Sequence, residues 1–148
     1  MMFSTIRKFW MLAPGRRWLV CESATLIIFV SVAVRILPFL RLRSLLHRAA
    51  ALTAVARPDV APDHIRAIGW AVGAAAARIR GATCLVQALA ADAMLRRRAV
   101  RSELRLGVLR SGAASVEGHA WVECDGGIII GAVDRQSDYR TLEPVRSS

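Results

Sequence analysis

The chain is nearly without lysine: Lys8 is the only one among 21 basic residues. It has one tyrosine and three cysteines, and Cys21, Cys84 and Cys124 show no C-x-x-C spacing. An odd, widely spaced set argues against a disulfide framework and a zinc knuckle, and it fits a reducing, cytoplasmic setting. With 148 residues and 55% hydrophobic content, the chain can bury a core without either aid. A long uncharged run is missing too. The segment "WLVCESATLIIFVSVAVRILPFL" is bracketed by Glu22 and Arg35 and ended by Pro38. Its uncharged stretch, Ser23 to Val34, is about half of the roughly 20 residues a membrane span needs. No small-residue cleavage site follows it, which argues against a secretory signal. The segment reads as a buried helix, with peripheral membrane contact as the second reading.

What the chain has in excess is positive charge, 21 basic against 11 acidic residues, for a net +10. Such a balance raises nucleic acid and membrane surfaces as partners. The arginines are scattered singly or in pairs, apart from Arg96, Arg97 and Arg98, and the aromatics sit mainly in apolar helices. Nucleic-acid binding wants basic and aromatic residues interleaved on one face, so that class is disfavoured. Arginine filling solvated helix faces is the plainer reading, and a basic surface for an acidic peptide is a third.

Pro14-Gly15 opens a helix expected over roughly 16–36, and a basic helix follows at about 39–55. The stretch "RPDVAP" is the best linker candidate. Pro62 and Asp63 then start a helix through "DHIRAIGWAVGAAAARIR", stopped by Gly81. Thr83 suits an N-cap for "CLVQALAADAMLRRR", where residues 85, 86, 89, 93 and 94 form an apolar stripe. His47 and His64, in polar helix surroundings, read as surface residues. From residue 101 the period becomes two. Leu104, Leu106 and Val108 alternate with Glu103, Arg105 and Gly107, "SGAASVEG" reads as a loop, and "HAWVEC" and "IIIGAVD" as two more strands. Helices followed by an antiparallel sheet make the fold α+β.

Cys84 falls in the first turn of its helix, where unpaired backbone N–H groups favour an anionic sulfur. Cys21 and Cys124 read as structural. A cysteine nucleophile needs a base, and the base needs an acceptor that orients it. His119 is the candidate base. If Gly126-Gly127 form the hairpin turn, His119 stands opposite Asp134; if Asp125-Gly126 form it, His119 faces Ala132 and Asp134 is the diagonal neighbour. Trp121 shares that face, as core packing or as a shield against water. Zinc held by Cys84, His119 and Cys124 lacks a fourth ligand, so neither metal nor cofactor is expected.

"CLVQALAADAMLRRRAV", a strand of "LRLGV" type, "GHAWVECDGG" and the "LPF" after a long apolar helix together resemble the lasso peptide biosynthesis B2 proteins. These are transglutaminase-like cysteine peptidases that remove the leader from a lasso precursor. The resemblance implies a papain-like core at 58–148, with the Cys84 helix packed on a small antiparallel sheet bearing His119 and Asp134. Residues 1–57 would be an N-terminal helical segment packing on that core. It further implies attack by Cys84, acid–base work by His119, and Asp134 fixing the imidazole tautomer. The Cys84 backbone N–H would be one oxyanion donor, with Gln87 a candidate for the second. The family pattern places the acid a residue or two earlier, where Gly131 and Ala132 stand. Asp134 is therefore the first choice, with Asp138 and Asp125 as alternatives, although Asp125 suits a turn. The implied partners are the leader region of a precursor peptide, a separate B1-type recognition-element protein and an asparagine synthetase-like lasso cyclase. Nucleic acid is not among them. An amide transferase working through the same thioester, and an arginine-rich non-catalytic nucleic-acid or membrane-surface protein, are the alternatives.

Overall fold

The computed structural model describes residues 12–55, 60–111, 115–134 and 136–142. Half of the expected linker, and part of the expected 111–118 loop, lie outside them.

The organising element is a helix from Cys84 to Arg96. Four alanines, Ala88, Ala90, Ala91 and Ala93, leave it thin enough for neighbours to approach on every side, and residues 88–95 are all buried. The expected apolar stripe therefore understates the burial. A helix apolar nearly all round must be enclosed, and this one packs against three other helices and three strands. Those helices, in chain order, are α1 (Pro14–Ile36), α2 (Phe39–Leu52) and α3 (Pro62–Ala76); the Cys84 helix is α4.

Prolines set the helix starts. Pro14 and Pro62 occupy first-turn positions, where a missing N–H costs nothing, and Pro38 is the N-cap residue of α2. α1 turns Leu19, Ser23, Ile27, Val30 and Ala33 inward. α2 contributes Leu42, Leu46 and Ala50, and α3 contributes Ile65, Ile68, Ala71, Val72 and Ala75. One hydrophobic cluster runs through residues on both sides of the 55–60 connection, from Leu19 to Cys124.

The sheet has four strands in the order β3-β2-β1-β4: β1 (Glu103–Ser111), β2 (Ser115–Cys124), β3 (Gly127–Ile130) and β4 (Arg140–Leu142). Asp125 and Gly126 form the β2–β3 turn, both with positive φ (50° and 77°), which matches a two-residue hairpin. Of the two registers the sequence allows, this is the Asp-Gly one, with Cys124 opposite Gly127 and Glu123 opposite Ile128. A bulge follows, so that Val122 faces Ile130 and Ile129 is the extra residue. Ile129 lies against Gly69 of α3, where a Cβ would run into its carbonyl oxygen and come within 2.9 Å of its Cγ2. β4, on the far side of β1, has no signal in the sequence.

Two charged groups are folded into the helical layer. Asp92, 1% exposed, accepts hydrogen bonds from His47 Nε2 (2.9 Å), Arg96 Nε (3.0 Å) and Ser102 Oγ (2.6 Å). His47 is thus a half-buried partner of a core carboxylate, not a surface residue. Burial alone would raise the Asp92 pKa, but the His47 and Ser102 hydrogen bonds and the Arg96 charge together carry it below the ordinary 3.8. Glu22 of α1 forms ion pairs with Arg97 (2.9 Å) and Arg98 (2.7 Å) just past the end of α4.

Asp92→Ala leaves Arg96 without its counter-charge and the buried Ser102 hydroxyl without its acceptor, so urea unfolding at neutral pH should show a loss of about 1–3 kcal/mol. Because the folded-state pKa is depressed, the Asp92 contribution is complete above the unfolded-state value of 3.8 and disappears as pH falls through the lower folded value. Asp92→Asn should accordingly flatten the acid limb of the stability–pH curve in that window, which urea midpoints between neutrality and pH ~3 will measure.

Candidate active site

Cys84 is the first residue of α4, half-buried against the core cluster. The turn before it is held from both sides. Thr83 caps the helix, its side chain accepting from the Val86 N–H at 3.4 Å, and its carbonyl accepts from Gln87 N at 3.0 Å. Gln87 Nε2 donates to the Ala82 carbonyl at 2.8 Å. One N–H of the expected second oxyanion donor is therefore committed to fixing the loop that delivers the cysteine. The first-turn backbone N–H groups, including that of Cys84, have no intrahelical acceptor and point out of the helix N-terminus.

His119 lies on β2, one of the strands on which α4 packs. Its Nε2 is 2.7 Å from the carbonyl oxygen of Gly131. A carbonyl can only accept, so Nε2 carries a hydrogen, and in the neutral ring Nδ1 keeps the lone pair. Trp121 stacks nearly parallel to the imidazole (6.0 Å between centroids, 18°), and Tyr139 lies tilted at 5.3 Å. Trp121 is 3% exposed, so the packing expected of it is seen. Its Nε1 donates to Glu123 Oε1 at 2.7 Å, and Arg105 donates to the other Glu123 oxygen at 3.3 Å.

Two glycines make this arrangement possible. Gly107, opposite His119 on β1, leaves room for the Trp121 ring; a Cβ there would come 2.8 Å from Cζ3 of Trp121 and 3.0 Å from Cβ of Tyr139. Gly131 has φ +86°, and a Cβ on it would sit 2.7 Å from the Ala120 carbonyl and 2.8 Å from Trp121 Cβ. Only glycine both tolerates that backbone and lets its carbonyl reach the imidazole.

The expected acid is elsewhere. Asp134 sits exposed in a turn beyond the end of β3, and no hydrogen bond joins it to His119 among the described residues. The reason is local: the bulge at Ile129 and the left-handed Gly131 take the chain out of the ladder before residue 134, so neither expected pairing forms. Asp138 lies exposed in a short 3₁₀ turn, near Ser137 Oγ. Asp125 is the hairpin-turn residue, accepting the Cys124 thiol at 3.7 Å. The acceptor on the imidazole is thus a main-chain carbonyl at a position where the family pattern leads one to look for a carboxylate. Sequence reasoning also missed Tyr139, the chain's only tyrosine, because it depends on the unforeseen β4 to bring it across.

The other two thiols are differently placed. Cys124 is buried on the core face of β2, and burial, reinforced by the neighbouring Asp125 carboxylate, pushes its pKa up. Cys21 is exposed on α1. Cys84 alone combines a helix N-terminus with an adjoining strand that carries an oriented imidazole, a pairing suited to acyl transfer through a thioester.

A family model described as the transglutaminase-like superfamily matches residues 28–144. No curated protein and no solved structure matches the chain.

Gly131→Ala should lose about 1–2 kcal/mol from the left-handed backbone alone, before any clash is counted. In ¹⁵N-resolved spectra it should also shift the His119 Nε2–H resonance away from its hydrogen-bonded position. Asp134→Asn should leave that resonance in place; movement there with Gly131→Ala silent would make Asp134 the acceptor.

Proposed function

The chain belongs to the transglutaminase-like superfamily, and on that premise we propose that it is a cysteine peptidase that removes the leader from a lasso peptide precursor. The observation that carries this reading is the placement of Cys84 at the start of the buried α4, which packs on the strand holding His119 with its Nε2 fixed by Gly131. The "HAWVE" strand and the Cys84 helix sequence support the narrower, lasso-specific part.

The chemistry follows from the ring. With Nε2 engaged, Nδ1 is the nitrogen that exchanges protons with the substrate. Cys84 Sγ, having given its proton to His119 Nδ1, adds as thiolate to the carbonyl carbon of the scissile amide, and the backbone N–H of Cys84 stabilises the oxyanion. The C–N bond breaks as the leaving amine takes the proton from His119 Nδ1, leaving a thioester. Neutral His119 then accepts a proton from water at Nδ1 while the hydroxide oxygen attacks. The C–S bond breaks, and the leader carboxylate departs. In this reading a main-chain carbonyl does the tautomer-fixing generally done by the third member of a triad, and Asp134 is held in reserve as the carboxylate alternative.

A separate recognition-element protein would deliver the leader, and an ATP-dependent cyclase would consume the freed core. Holding the leader close raises its effective concentration at Cys84 without new contacts from this chain.

The test is mass spectrometry of a lasso precursor incubated with the chain, with and without the recognition protein. Cleavage at the leader–core junction should occur, be faster with the recognition protein, vanish in Cys84→Ala, and persist in Cys21→Ala and Cys124→Ala. Asp134→Asn should stay well short of the roughly 10⁴-fold loss that follows when a triad aspartate becomes asparagine. Cleavage by Cys84→Ala would overturn the nucleophile, and a full triad-sized loss in Asp134→Asn would return that residue to the site.

A further inference from the structure

α1 is apolar on two opposite faces, and the fold uses only one. Its inward stripe (Leu19, Ser23, Ile27, Val30, Ala33) is in the core. On the other side Trp18, Ile28, Phe29, Val32 and Ile36 are 68%, 55%, 57%, 52% and 73% exposed. At 100° per residue these five fall within about a third of the helix circumference, along roughly 27 Å of axis. Cys21 and Thr25 fill the gaps, and the Thr25 hydroxyl already donates to the Cys21 carbonyl at 3.0 Å. The stripe thus offers no charge and no unmet side-chain hydrogen bond until Arg35.

We propose that this outward stripe seats α1 flat on an anionic lipid surface, as a peripheral contact. Three observations select that occupant. A protein partner normally brings about one hydrogen bond per 100–200 Å² of interface, and this face has only the Thr25 hydroxyl oxygen and the Cys21 thiol to meet them; hydrocarbon requires none. Exposed cations, Arg35 and Arg41, lie at the finish of the stripe. The sole acidic residue of the helix, Glu22, is neutralised by Arg97 and Arg98. The chain's net +10 adds attraction to a negative membrane. Although α1 is long and apolar enough to cross a bilayer by composition, its inward stripe is held by α3 and α4, which fixes it as a surface element.

This inference stands apart from the peptidase reading, since no site residue lies on α1. It is tested by sedimenting the full chain with vesicles of phosphatidylcholine alone or mixed with phosphatidylglycerol. The chain should pellet with the mixed vesicles, less so at high salt, and at least about tenfold less in Phe29→Gln/Val32→Gln, whose fold circular dichroism checks. Val32→Trp, which keeps the stripe apolar, should bind at least as well as the parent. Failure to pellet with mixed vesicles, equal binding to both vesicle types, or undiminished binding by the folded double variant overturns the proposal. So does a dimer in light scattering that the same double substitution dissociates, because a second copy would then cover the stripe.

Discussion

The carboxylate of Asp92 is the point on which the helical layer turns. It lies in the middle of the most enclosed helix of the molecule, where an isolated charge is untenable. The groups that make it tenable come from separate segments: His47 from α2, Arg96 from the last turn of α4, and Ser102 from the approach to β1. Arg96 also donates to the Ser102 carbonyl at 3.1 Å. One buried anion therefore ties a helix from before the connection, the central helix and the start of the sheet into a single geometry. The Glu22 pairs do the same for α1, at the same end of α4. Buried pairs of this kind add less to net stability than their number suggests, because desolvation offsets the attraction. What they specify is relative position, and here that position aligns α4 with the strand that carries His119.

Most of this architecture was legible where a residue acts through its own backbone. Pro14 and Pro62 mark helix starts because proline lacks an N–H, Pro38 marks the end of the first helix, Thr83 marks a cap because its side chain replaces a lost acceptor, and Asp125-Gly126 marks a turn because both tolerate positive φ. The α+β class followed from the same local rules, and the helix that carries Cys84 packs on the strand that carries His119. What escaped depends on distant segments. Asp92 falls among alanines in a pattern that leaves its face undecided, and only His47, 45 positions away, explains its burial. The bulge residue Ile129 lies against Gly69 of α3, a contact that no hairpin rule contains. The bulge and the left-handed Gly131 together take the chain out of the ladder before Asp134, so register arithmetic sound for a regular hairpin did not apply. β4 is three residues long with exposed side chains, and gives period-two reasoning nothing to detect.

Gly131 and Gly107 show how a site is shaped by what is left out. One brings a carbonyl against the imidazole, the other admits the indole ring beside it, and either would be read from sequence alone as a weak point in a strand. Their meaning lies in the neighbouring atoms that a Cβ at either position would strike.

The way α4 is fastened has a consequence for whatever enters the site. Its N-terminal turn is tied by Thr83 and Gln87, its middle by Asp92, and the turn beyond it by Glu22, so the sulfur is mounted on a nearly inflexible rod. A rod of that kind has little freedom to lose when a ligand arrives. An unstructured peptide has a great deal, and the ordering of its backbone, at about 1–2 kcal/mol per residue fixed, must come out of the association free energy. The asymmetry makes capture the weak step and the geometry of attack the strong one. Tighter binding would then come from a stiffer ligand, leaving the helix as it stands.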